Sequence, residues 1–126
     1  MADVAAPAIE AARTGITMTH HLYNALRGSM RRLRLWTASA ALYLTPDGTA
    51  PVAEVGALWH NPDLAATYEH IAAHGADDFY TGALGREVVA AARDAVNPAT
   101  QRGGMMTIED IAGYKAVRLE LLVVLP

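Results

Sequence analysis

Residues 61–96 read NPDLAATYEHIAAHGADDFYTGALGREVVAAARDAV, and the parsing of this stretch decides the fold. Asn61 is placed as an N-cap and Pro62 as the first helical residue, where proline's missing N–H removes no helical hydrogen bond. Leu64, Tyr68 and Ile71 recur at helical spacing, with small Ala65 and Ala72 beside them, and Gly75 supplies the stop. Asp77 or Asp78 is expected to cap the following turn, which carries Phe79 and Tyr80 into the core. From Gly82 the helical period resumes through Leu84, Val88, Ala91 and Ala95 until Asn97 and Pro98 end it. The stretch is thus two helices joined by a glycine hinge with an aromatic pair at the joint, and the class it predicts is mainly α.

Working outward, a first helix is expected over Asp3 to Thr14, with Pro7 in its early part and Gly15 as its stop. A second runs from about Thr19 to Leu35. Thr19 is its N-cap, and Leu22, Ala25, Leu26, Met30 and Leu33 form its inward face. Ser39 to Leu44 adds a short helical piece. Thr45, Pro46, Asp47 and Gly48 make a turn, and Thr49 to His60 reads as an irregular crossing. Beyond the loop at Gly103 and Gly104, residues Thr107 to Asp110 read as a capped short helix. The tail KAVRLELLVVLP, residues 115–126, is the only segment that reads as β-like, and no partner strand for it is visible.

The 126 residues, 52% of them hydrophobic, suffice for one domain over 1–126, a small orthogonal helical bundle with a short β-like tail. A formal charge of −3 offers no global attraction for nucleic acid or anionic lipid. With no cysteine, disulfides, thiolate metal sites and cysteine nucleophiles are excluded. Asp3 and Glu10 interrupt any signal-peptide pattern, and no apolar run approaches the length of a membrane span. A cytoplasmic chain is the default expectation.

Three local patterns carry possible chemistry. His70 and His74, four apart, share one helix face as a metal pair would, but Glu69 precedes the first histidine. The zincin order is therefore not met, and a third ligand would have to come from His60, His20, His21 or a distant carboxylate. No metal or cofactor is expected. Arg27, Arg31, Arg32 and Arg34 are the basic cluster; Arg27, Arg31 and Arg34 share a face and support an alternative reading as a non-catalytic helical module contacting nucleic acid. Against that reading, residues 51–126 hold 5 basic and 10 acidic side chains, and no aromatic residues interleave with the arginines for base stacking. Gly82 and Gly85 lack the third glycine, preceding strand and lysine of a phosphate loop, and read as a turn into a helix.

The order of these signals resembles the large subunit of gamma-glutamyltransferases, from about Val4 to Leu122 and more weakly between Arg34 and His60. Pro7, Ala8, Ile9 and Gly15 are similar to the family's Pro-Ala-Ile helix, and Asn61 to Ala65 to its Gln- or Asn-Pro-x-Leu-Ala start. Ile71, Ala72, Gly75, Phe79, Tyr80 and Gly82 match an Ile-Ala-x-x-Gly-x-x-x-Phe-Tyr-x-Gly signature. Gly103, Gly104, Met106, Thr107, Glu109 and Asp110 match Gly-Gly-x-Met-Thr-x-Glu-Asp. The resemblance implies that the helix pair is scaffold flanking a catalytic core.

It also implies chemistry of the N-terminal nucleophile type. A precursor cleaves itself ahead of a threonine, whose hydroxyl attacks a γ-glutamyl amide while its free amine acts as base. In the family that threonine opens the small subunit, downstream of the matched segment, and the arginine that pairs with the substrate carboxylate lies upstream of it. Thr19 and His20 imitate the threonine-histidine pair after the cleavage point, but they lead into an amphipathic helix, so helix capping accounts for them better. The expectation is a scaffold segment without catalytic residues. It would be completed by a small-subunit-like partner, or would self-associate through residues 119–125, whose apolar run makes an adhesive strand edge.

Overall fold

The computed structural model describes residues 2–115 and Val117. Within them the chain runs α1 (Ala2–Thr14), β1 (Ile16–Thr17), α2 (His20–Leu33), α3 (Thr37–Tyr43), β2 (Leu58–Trp59), α4 (Pro62–His74), α5 (Asp77–Thr81), α6 (Ala83–Asp94) and α7 (Ile108–Ala112). The mainly α class read from the sequence is the one observed. The β-like tail and the association expected through residues 119–125 lie outside the described residues.

Helices α1 and α4 pack side by side. Small residues allow the approach: Ala12 and Ala65 are buried, whereas Leu64, Tyr68 and Ile71 are only half-buried beside them. The corner ahead of α4 is tied to the end of α1, because the Asn61 amide donates to the Ala12 carbonyl at 2.9 Å. Asn61 Oδ1 in turn accepts from the Leu64 amide at 3.0 Å, the capping role that its place before Pro62 predicts. An exposed Arg13–Glu69 ion pair spans the same two helices.

The contact between α1 and α4 brings the residues after α1 beside those before α4. Ile16 pairs with Trp59 and Thr17 with Leu58 in a two-stranded antiparallel sheet. Beyond the strands the Met18 amide donates to the Ala57 carbonyl at 2.8 Å, and the Gly56 amide donates to the Met18 carbonyl at 2.9 Å. Met18 between them is fully buried. This corrects two expectations, that the tail is the only β-like segment and that Thr49 to His60 is an irregular crossing. Strands of two residues are too short to show an alternating pattern, and helix packing rather than local propensity makes the pairing.

Thr19 caps α2, its hydroxyl oxygen accepting from the Leu22 amide at 3.2 Å. Leu26 is buried on the inward face, Leu22, Met30 and Leu33 are half-buried, and Ala25 is exposed. Helix α2 stops at Leu33 rather than Leu35, and α3 starts at Thr37 rather than Ser39, because Trp36 adopts extended backbone between them. The turn after α3 is closed by the Thr45 amide donating to the Ala50 carbonyl at 2.9 Å and by a bridge between Leu44 and Pro51. Leu44 is almost wholly buried. On the far side of α4, the short helices α5 and α7 both pack against α6.

Candidate functional site

The chemistry-bearing residues of the opening stretch converge where α4, α5 and α6 meet. Gly75 ends α4 at a φ of +86°, as its place after His74 predicts. Helix α5 then begins after Ala76 with no side-chain cap. The carboxylate expected to cap α5 instead caps the next helix: Asp78 Oδ1 accepts from the Ala83 amide at 3.3 Å and Oδ2 from the Leu84 amide at 3.2 Å. His70 Nε2, from α4, lies 2.8 Å from the same Oδ2. One side chain therefore ties three helices, and it sits at the positive end of the α6 dipole. The hydrogen bond with His70 and then the Leu84 amide hold the Asp78 carboxyl below the ordinary carboxylate range against desolvation, with a lesser contribution from the Ala83 amide.

Gly82 and Gly85 make this joint possible. A Cβ at Gly82 would fall inside the Asp78 carboxyl group, and one at Gly85 would stand 2.5 Å from the Phe79 carbonyl oxygen. Their spacing is a close-approach requirement between α5 and α6, which is the physical content of the turn-into-helix reading. The same crossing changes the inward face of α6. Gly85 and Val89 are buried, whereas Leu84 and Val88 of the expected stripe are half-buried and Ala91 and Ala95 exposed. Phe79 and Tyr80 are corrected as well: neither is buried. Their rings pack edge to face with centroids 5.2 Å apart and line a groove.

The histidine pair is placed together but committed elsewhere. His70 and His74 stack with ring centroids 4.2 Å apart, His70 Nε2 meets Asp78, and His74 Nδ1 lies 3.0 Å from the His70 carbonyl oxygen. His60, considered as a third ligand, has its Nδ1 3.4 Å from the Arg13 carbonyl oxygen, in the α1–α4 corner. Among the described residues no group of three or more His, Cys, Asp or Glu side chains is positioned to hold a metal ion. A groove of about 300 Å³ beside the pair is lined by Asp63, Thr67, His70, Leu84 and Glu87.

Arg27, Arg31 and Arg32 are exposed along α2. Arg34 leaves the face proposed for nucleic acid, because its Nε donates to the Gly48 carbonyl at 2.8 Å and fastens the turn after α3. That turn holds a carboxylate that no sequence motif marks. Asp47 accepts from the Thr45 hydroxyl at 2.6 Å, from the Thr49 hydroxyl at 2.8 Å and from the Thr49 amide at 3.1 Å. These bonds, the Thr45 one first, lower its pKa from 3.8 to about 2. The role of Asp78 at α6 is likewise marked by no motif; its signal is a helix starting after Gly82, a residue with no capping side chain, with a carboxylate one turn upstream.

Comparison with known proteins adds the wider frame. Residues 1–124 match the family model described as Gamma-glutamyltranspeptidase. A glutathione hydrolase proenzyme of Arthroderma benhamiae is 34% identical over 113 residues, covering 88% of this chain and 18% of that protein. Helicobacter pylori gamma-glutamyltranspeptidase shares the fold with a TM-score of 0.76 at 24% identity, over 90% of this chain and 30% of that one. The transpeptidase CapD of Bacillus anthracis superposes with a TM-score of 0.70 at 28% identity, over 91% of this chain and 35% of that one. The chain thus spans about a fifth of the length of the curated relatives it matches. No helix among the described residues is long and apolar enough to cross a membrane.

Proposed function

This chain belongs to the gamma-glutamyltranspeptidase family, and from that premise we propose that it is a scaffold segment of an enzyme that transfers or hydrolyses γ-glutamyl groups, such as that of glutathione. The observation that carries the reading is the match over residues 1–124, set beside the work each reactive side chain already does. Thr19 caps α2, His70 holds Asp78, and Asp78 caps α6. The matched segment contributes helices, and the nucleophilic threonine comes from a small-subunit-like partner.

Exposed apolar surface supports a partner: Ile16, Val52, Val55 and Leu58 are exposed at or near the small sheet. The test is an assay of the purified chain on a γ-glutamyl anilide. Product should not rise above a buffer blank, and turnover should need both a polypeptide that begins with the family's threonine and the upstream segment that carries the family's carboxylate-binding arginine. Turnover by the chain alone that disappears in Thr19→Ala would overturn the scaffold reading.

A further inference from the structure

The aromatic pair of the opening stretch lines a groove that the scaffold reading leaves unused. Its volume is about 330 Å³, and Phe79, Tyr80, Val88, Met106, Ile111 and Tyr114 line it with Asp110, its one charged lining residue. Three elements and a loop build it: Phe79 and Tyr80 come from α5, Val88 from α6, Ile111 from α7, and Met106 from the loop before α7. The rings take two orientations. Phe79 stands at 83° to Tyr80, and Tyr114 lies nearly parallel to Tyr80, at 7° with centroids 6.0 Å apart. Tyr114 is 64% exposed, so this wall can be reached from solvent. Asp110 is held in place, its Oδ2 accepting from the Thr107 amide at 2.8 Å and from the Thr107 hydroxyl at 3.1 Å.

We propose that this groove is a binding site for a small methylated ammonium ion, with Phe79, Tyr80 and Tyr114 as its aromatic walls and Asp110 as its counter-charge. The chemistry selects that class. Aromatic faces carry negative electrostatic potential and attract a cation placed over them. A primary ammonium is strongly hydrated, and the groove offers one carboxylate to replace its water. A quaternary ammonium presents methyl groups that carry positive charge without donors, so it can enter an apolar, ring-lined groove and leave no hydrogen bond unmade. An anion would meet both the ring faces and Asp110 with the wrong sign. A neutral ligand of equal shape would gain the apolar contact alone. The site owes nothing to the γ-glutamyl reading and can fail or stand without it.

Titration calorimetry of the chain with choline, and with the uncharged isostere in which carbon replaces the ammonium nitrogen, separates these cases. Choline should bind saturably, and the isostere about tenfold more weakly or worse. Tyr114→Phe should keep that preference and Tyr114→Leu should reduce it. Tyr114 is largely exposed, so neither change threatens the fold, which circular dichroism checks. Absence of saturable choline binding, equal binding of the two ligands, or a preference undiminished in Tyr114→Leu would each overturn the proposal.

Discussion

At the scale of single residues, two side chains show how the same physical rule gives opposite kinds of importance. Met18 matters by what it fills: it is fully exempt from solvent, and its backbone is bonded on both sides to the Gly56–Ala57 segment. Met18→Ala should cost about 2–5 kcal/mol in urea unfolding, the range for a buried Met truncated to Ala with the cavity left behind. Asp47 matters by what it accepts. Three hydrogen bonds from Thr45 and Thr49 hold its pKa at about 2, below the unfolded value near 3.9. A depressed carboxyl contributes stability that is fully present above the unfolded pKa and is lost as pH falls through the folded one. Asp47→Asn should therefore remove part of the stability loss between pH 4 and 2, leaving a flatter curve of urea midpoint against pH in that window. An unchanged slope would mean that the turn is held without the ionised carboxylate.

At the scale of elements, the joint of α4, α5 and α6 depends on a carboxylate and two absent side chains. Gly85 is buried and faces the Phe79 carbonyl, so Gly85→Ala should push α6 away from α5 and cost about 1–3 kcal/mol, as overpacking does. Asp78→Asn removes the charge at the α6 N-terminus while keeping the size. It should raise amide hydrogen exchange at Ala83 and Leu84 and leave α1 unaffected, because the bonds of Asp78 go to α4 and α6. Uniform acceleration across both helices would instead mark Asp78 as a global stability residue rather than a local clamp.

At the scale of the whole molecule, the question is what covers the surface. Residues 119–125 have high β-propensity and almost no charge, with Glu120 and Pro126 as the interrupting residues. Changing Leu122 and Val124 to lysine should raise the monomer fraction in light scattering with the helical circular dichroism unchanged. Loss of helix in that variant would mean that the tail packs inside the helical unit, and the partner-completed scaffold would lose its support.

The sequence by itself determined most of the helices and most of their ends, because those signals are local; it missed α5, which reads as a turn inside a two-helix stretch where three helices stand. Asn61 with Pro62, Thr19, Gly15, Gly75 and the Thr107 capping box each act within one turn of their own position. It also carried the family, through spaced motifs that a linear reading can match. Tertiary structure alone decided the rest. Pairing of Ile16 with Trp59 exists because α1 lies on α4. Asp78 caps α6 rather than α5 because the chain turns back at Gly82 and delivers the Ala83 and Leu84 amides to it. Phe79 and Tyr80 became groove walls instead of core because α6 packs on α5 through Gly85, a residue with no side chain to cover them. In each case the partner lies on another element, and hydrophobic period reports which residues avoid water without reporting what they meet.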